Sequence, residues 1–218
     1  MKIALIGASG FVGAAVLSEL LARGHQVTAL VRDPAKALPA AVTVKVADAF
    51  DAAAVARAVE GQDAVVSAFN PGWDAPDLYD QFFNGSAAIE QGVALGGVKR
   101  LLVVGGAGSL FVAPGVQLVD TASFTDHVRA NVVPGARAAR DALTRIRANT
   151  ELDWTFLSPP AMLAPGERSG HYRSGGEDLL MDGERPAGIS VADLAVAIVD
   201  EIETPRHVKE RFTVASAV

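Results

Sequence analysis

The chain begins Met-Lys-Ile-Ala-Leu-Ile-Gly-Ala-Ser-Gly-Phe-Val-Gly, and this stretch constrains the fold more than any other. The apolar run Ile3–Ile6 reads as a buried parallel strand. It enters glycines at positions 7, 10 and 13, and the apolar spacing of Val12, Val16, Leu17, Leu20 and Leu21 then turns helical. A strand, a glycine turn and a helix in that order form a dinucleotide-binding fingerprint. Gly7 suits a tight turn, Gly10 a close approach of a pyrophosphate, and Gly13 the packing of helix on strand. The N–H groups that open the helix face the phosphates, and its dipole favours their charge. The expected cradle is Gly7, Ala8, Ser9, Gly10, Phe11 and Val12. Its spacing is G-x-x-G-x-x-G, with Ala8 where the G-x-G-x-x-G fingerprint has its second glycine.

Strand signals recur along the chain, at Gln26–Val31, Val42–Val46, Asp63–Ser67, Lys99–Val104, Asp153–Leu157 and Arg211–Val214. Helical signals lie between them: Asp51 capping a helix through Val59, then Pro76–Leu95, Phe124–Asn131, Pro134–Ala148, and Ser190 capping Val191–Ile202. Gly105–Thr125 reads as a long irregular stretch, and Gly166–Gly188 as glycine-rich and without clear elements. Alternating strands and helices predict an α/β fold: a three-layer, Rossmann-type, doubly wound parallel sheet with right-handed crossovers. With 218 residues, we expect a single NAD(P)-binding domain over 1–218, in which 159–190 forms a small, irregular lobe on the substrate side.

Composition narrows the function classes. A chain that is 50% hydrophobic and 20% charged is globular. A net charge of −6 without a basic stripe gives no expectation of nucleic-acid binding. The cluster Arg137, Arg140, Arg145 and Arg147 reads as a solvated helix face. No apolar run is long enough for a membrane span or a signal-peptide core, so no membrane partner is expected. The absence of cysteine excludes disulfides and thiolate chemistry and fits a cytoplasmic protein. His25, His127, His171 and His207 show no metal-ligand spacing, so no metal is expected.

Ligands of doubly wound sheets sit beyond the carboxyl ends of the strands. After the second strand, Arg32 is a candidate clamp for a ribose 2′-phosphate, which favours NADP(H) over NAD(H). Asp33, twenty residues past Gly13, is the alternative ribose-binding acid, and Asp33-Pro34 also reads as a helix cap followed by proline. After the third strand, Asp48 is either an acceptor for the adenine amino group or a plain turn aspartate. Ala68, Phe69 and Asn70 follow the fourth strand, where small residues let the backbone pass beneath a cofactor. Gly105 and Gly106 follow the fifth, and Ser109 presents a hydroxyl as a candidate catalytic group. Pro159 and Pro160 follow the sixth as a stiff wall for a nicotinamide pocket.

These segments together resemble the short-chain dehydrogenase/reductase superfamily in its atypical, NAD(P)H-binding branch. The likeness is closest to bacterial NADH-flavin reductases and to the flavin reductase/biliverdin reductase B group. It rests on Lys2–Gly13, Gly24–Pro34, Val103–Ser109, Asp153–Pro160 and Ile189–Ala195. The superfamily's usual catalytic pair is a tyrosine with a lysine four residues later. Here Tyr79 is followed by Phe83 and Tyr172 by Gly176, so the pair is absent. Where it would fall stand His127 and Arg129, of which His127 is the candidate catalytic residue. Ketone reduction needs a proton donor matched to an alkoxide. A flavin or quinone spreads the incoming charge over its own rings. The resemblance therefore implies hydride transfer from NADPH to a small-molecule acceptor, with flavin as substrate and not prosthetic group, by a monomer or homodimer. The rival readings are a non-catalytic NAD(P)-binding sensor and a sugar-nucleotide epimerase.

Overall fold

The computed structural model describes residues 1–33, 35 and 38–217. Its core is an eight-stranded sheet built from β1 (Lys2–Ile6), β2 (Gln26–Val31), β3 (Thr43–Val46), β4 (Ala64–Ser67), β5 (Arg100–Val104), β6 (Asp153–Ser158), β7 (Tyr172–Gly175) and β8 (Glu210–Ser216). The spatial order is β7-β8-β6-β5-β4-β1-β2-β3, and every pairing is parallel except β7 with β8. The chain thus winds outward from β1 in both directions, which opens a crevice beyond the carboxyl ends of β1 and β4.

Each strand of the sheet's centre is buried on both faces, which explains the near-continuous apolar runs. Ile3 and Leu5 of β1 pack toward α1 (Phe11–Ala22) and, late in the chain, the helix Val191–Glu203. Ala4 and Ile6 face the opposite layer, formed by α2 (Ala52–Val59), α3 (Leu78–Leu95) and the helix Val132–Ile146. A short helix, α4 (Ala122–His127), precedes the latter; we number Val132–Ile146 as α5 and Val191–Glu203 as α6. Asp51 caps α2 by accepting from the N–H groups of Ala53 and Ala54. Ser190 caps α6 by accepting from that of Asp193. This is the three-layer, doubly wound architecture the alternation predicts.

Three expectations are corrected. Gly166–Gly188 is not wholly irregular: Tyr172–Gly175 pairs antiparallel with β8, Tyr172 opposite Ser216. Two small pairings accompany it, a hairpin of Met181–Asp182 with Arg185–Pro186 and a parallel ladder of Met162–Ala164 with Gly188–Ser190. The stretch after Gly105 likewise holds a 3-10 turn at Ala107–Ser109 and strands Phe111–Ala113 and Val116–Gln117. The arginines of α5 are not simply solvated. Arg145 pairs with Glu90 and lies over the Phe83 ring, Arg140 pairs with Asp120 and Asp141, and Arg147 with Glu177. Pro34 of the Asp33-Pro34 cap lies outside the described residues; Asp33 itself accepts from the Ala35 N–H, a local turn.

An ion cluster joins the α1–α6 layer to the 159–190 segment. Glu19, buried on α1, is gripped through both carboxylate oxygens by Arg168 and through one by Arg23, which also reaches Asp200 and Glu203 on α6. Hydrogen bonding to Arg168, and then to Arg23, lowers its pKa from 4.5 to about 2 against the opposing effect of burial. A depressed carboxylate contributes stability above its unfolded pKa, and that contribution is lost as pH falls from 4.5 toward 2. Urea unfolding of Glu19→Gln should therefore show a deficit near neutral pH, on the order of 1 kcal/mol because Arg168 is solvent-exposed, that shrinks in acid. A deficit independent of pH would show that the charge of Glu19 is not what matters.

Candidate functional site

The crevice at the carboxyl ends of the strands is a cleft of about 810 Å³, within the range of cofactor pockets. Its floor is the turn between β1 and α1. Gly7 adopts φ +82°, and a Cβ there would lie 2.4 Å from the carbonyl oxygen of Ala68. A Cβ on Gly13 would lie 1.9 Å from the carbonyl oxygen of Gly7. The protein's own packing therefore demands glycine at 7 and 13. Gly10 is different: its φ is −80°, and an added Cβ would meet only the Gly7 oxygen, at 3.3 Å. What gains most from the missing side chain at 10 is a group approaching the start of α1. Its N-cap residue, Gly10, has no side chain to cap that helix end, and helix-opening N–H groups suit an anion. These features fit the pyrophosphate of a dinucleotide.

Gly7, Ala8, Ser9, Gly10, Phe11 and Val12 all line the cleft. So do Arg32, Ala68, Phe69, Asn70, Gly105, Gly106 and Pro159 from the ends of β2, β4, β5 and β6. Arg32 is exposed and pairs with no carboxylate among the described residues, which leaves its guanidinium available. Phe69 packs edge-on to Phe50, with ring centroids 5.8 Å apart, and its ring occupies the space a side chain at Gly85 would fill. Asn70 turns back to accept from the Gly72 N–H, which fixes the loop after β4.

Three candidates fall elsewhere. Asp48 is exposed and accepts from the Phe50 N–H at 3.0 Å, while its neighbours Ala47 and Ala49 line the cleft; it is the turn aspartate. Ser109 is 1% exposed and lies behind the wall, not in the cleft. Its hydroxyl neighbours that of Ser158 at 3.4 Å, and the buried Arg211 guanidinium donates to both. The 3-10 turn rotates Ser109 inward while Ala107 and Gly108 face the cleft. His127 is exposed on α4, where its Nδ1 donates to the Ser123 carbonyl at 2.7 Å, and it does not line the cleft.

Neither tyrosine supplies an acid. The Tyr79 hydroxyl donates to Asp141, whose hydrogen bond raises the tyrosine's pKa. Tyr172, raised by burial and by its bond to Asp200, lies on the sheet's edge. Among the described lining residues only Arg32 and Asp33, just beyond β2, carry ionisable side chains. The far end is closed by groups that sequence reading did not single out, among them Trp73, Phe124, Val128, Ala136 and Leu163. Trp73 was visible only as an isolated aromatic in a loop-like stretch, and Phe124 as the first residue of an expected short helix; neither position carries a signal for the cleft.

Comparison with known proteins agrees with this geometry. The chain is 38% identical to the protein YwnB of Bacillus subtilis (strain 168), over 99% of each. A solved structure from Bacteroides thetaiotaomicron, named a "putative epimerase", is 44% identical with a TM-score of 0.89, covering 100% of this chain and 97% of that one. One from Streptococcus pneumoniae TIGR4, named a "putative NADH-flavin reductase", is 34% identical with a TM-score of 0.84, covering all of both chains. The pattern of the NAD(P)H-binding family matches residues 7–205, and the chain belongs to that family.

Proposed function

We propose that this protein is an oxidoreductase that passes hydride from NADPH to a flavin- or quinone-like acceptor, which enters and leaves as a substrate. The carrying observation is the far end of the cleft, where none of the described lining residues has an ionisable side chain. A carbonyl reductase needs a proton donor there; an acceptor that delocalises charge over its rings does not. The bound nicotinamide would supply the hydride. The chain's part is to hold the dinucleotide on the glycine turn, to brace the reacting face with Gly105, Gly106 and Pro159, and to exclude water with apolar walls. Rate then comes mainly from proximity and orientation. The "NADH-flavin reductase" name of the Streptococcus relative supports the same chemistry.

Arg32 favours NADPH. A charge-assisted bond to the ribose phosphate is worth roughly 1.5–3 kcal/mol. Arg32→Ala should therefore weaken NADPH binding about 10- to 100-fold and leave NADH binding within a factor of about two; equal losses for both would refute the clamp. The function itself is tested by NADPH oxidation with riboflavin, FMN or menadione and purified protein. Acceptor-dependent oxidation is expected. Tight NADPH binding with no turnover on any acceptor would favour a sensor instead.

A further inference from the structure

Resting on the reading of the cleft as a hydride-transfer site, we propose that Trp73 selects the acceptor by stacking on the face of a flat, uncharged ring. Trp73 stands on the loop from β4 to α3, at the cleft's edge, with 44% of its surface exposed. A large aromatic so exposed forgoes much of its hydrophobic gain unless a ligand covers it. Its position is nonetheless fixed. The Asn131 amide donates both to the Trp73 carbonyl, at 3.0 Å, and to the Asp74 carboxylate, at 2.9 Å. These two hydrogen bonds latch the tryptophan's backbone to the entry of α5.

The indole also has a built seat. A Cβ on Gly135, in the first turns of α5, would lie 3.2 Å from the indole Cζ3 and 3.1 Å from Leu78 Cδ2. Gly135 costs its helix stability relative to alanine, and the seat gives that cost a use. Phe124 and Val128 line the same cleft and carry no charge. Among the described residues an acceptor's phosphate would find no lining cation at this end, Arg32 standing beyond β2 at the other. The site thus reads the ring and not a phosphate tail: riboflavin and menadione should serve as well as FMN.

The test combines kinetics with binding. Trp73→Ala should raise the riboflavin KM roughly five- to tenfold, the range of an aromatic stacking contact. NADPH affinity should stay within a factor of about two, and Trp73→Phe should restore most of the loss. Gly135→Ala, which displaces the indole and leaves it intact, should raise the same KM. An unchanged riboflavin KM in Trp73→Ala, or an FMN preference of tenfold or more, would overturn the proposal. A second readout does not depend on turnover. In a Trp154→Phe background, Trp73 is the remaining tryptophan, and riboflavin titrated into NADP-saturated protein should quench it to a plateau. Without saturable quenching the proposal fails. With quenching but no turnover, the stacking site stands and the hydride-transfer reading falls.

Discussion

Gly13→Ala should cost several kcal/mol of stability and lower NADPH affinity at least tenfold, whereas Gly10→Ala should lower affinity with little loss of stability. The difference lies in what each missing side chain makes room for. At Gly13 the new Cβ would sit 1.9 Å from one backbone oxygen and 2.7 Å from its carbon. No rotamer relieves a clash between backbone atoms, so α1 must lift away from β1. Val16, Leu17 and Leu20, buried against the sheet, would lift with it. At Gly10 the contact of 3.3 Å yields to a small shift, but the methyl then stands where a pyrophosphate must approach. Urea midpoints and NADPH titrations of the two variants separate these effects. Wild-type affinity in Gly10→Ala would contradict the placement of the pyrophosphate.

Glu201→Ala is expected to be the most destabilising change away from the cleft, at roughly 3–5 kcal/mol, the cost of leaving a buried charge unpaired. Glu201 lies on α6 with 3% of its surface exposed. It accepts from Arg100 at 2.8 Å, from His207 Nδ1 at 2.8 Å and from the N–H groups of Arg206 and His207. Arg100 is itself buried, and burial lowers its pKa against the pull of Glu201. Without that carboxylate, its guanidinium keeps only Thr155 and the carbonyls of Asp153 and Glu201. Arg100 opens β5, at the end of the sheet opposite the cleft, so folded variant should still bind NADPH as wild type does. Urea unfolding measures the loss; less than about 1 kcal/mol would mean that the network relaxes around the gap.

The two variants also mark where sequence reading succeeded and where it stopped. The glycine turn was legible because its physics is local: a buried strand, a turn with positive φ and a helix start follow each other within thirteen residues. The strands of the sheet's centre were legible because burial on both faces leaves unbroken apolar runs. The capping residues Asp51 and Ser190 marked their helices for the same local reason.

What was not legible depends on partners far along the chain. β7 is short and polar, and only its pairing with β8, some forty residues later, makes it a strand. Arg145 and Arg147 look solvated until Glu90 and Glu177 come beside them. Ser109 follows a glycine-rich strand end, the place expected of a catalytic serine, yet a 3-10 turn points it at Ser158 and Arg211. Spacing could locate that loop but not its rotation. α4 covers Ala122–His127 where Phe124–Asn131 was expected, because Val128 returns to extended backbone at ψ 150°. This break leaves His127 on the outside while Phe124 and Val128 line the cleft.

If the cleft holds the nicotinamide in one orientation and passes its hydride straight to the acceptor, isotope tracing will show it. The protein would be given NADPH deuterated on one face of the nicotinamide's reactive carbon, with a deazaflavin as acceptor, whose ring carbon retains a transferred label. Deuterium should appear on that carbon from one face of NADPH only, as a fixed orientation in the cleft requires. Deuterium arriving equally from both faces, or NADPH oxidised with no label on the acceptor, would contradict it.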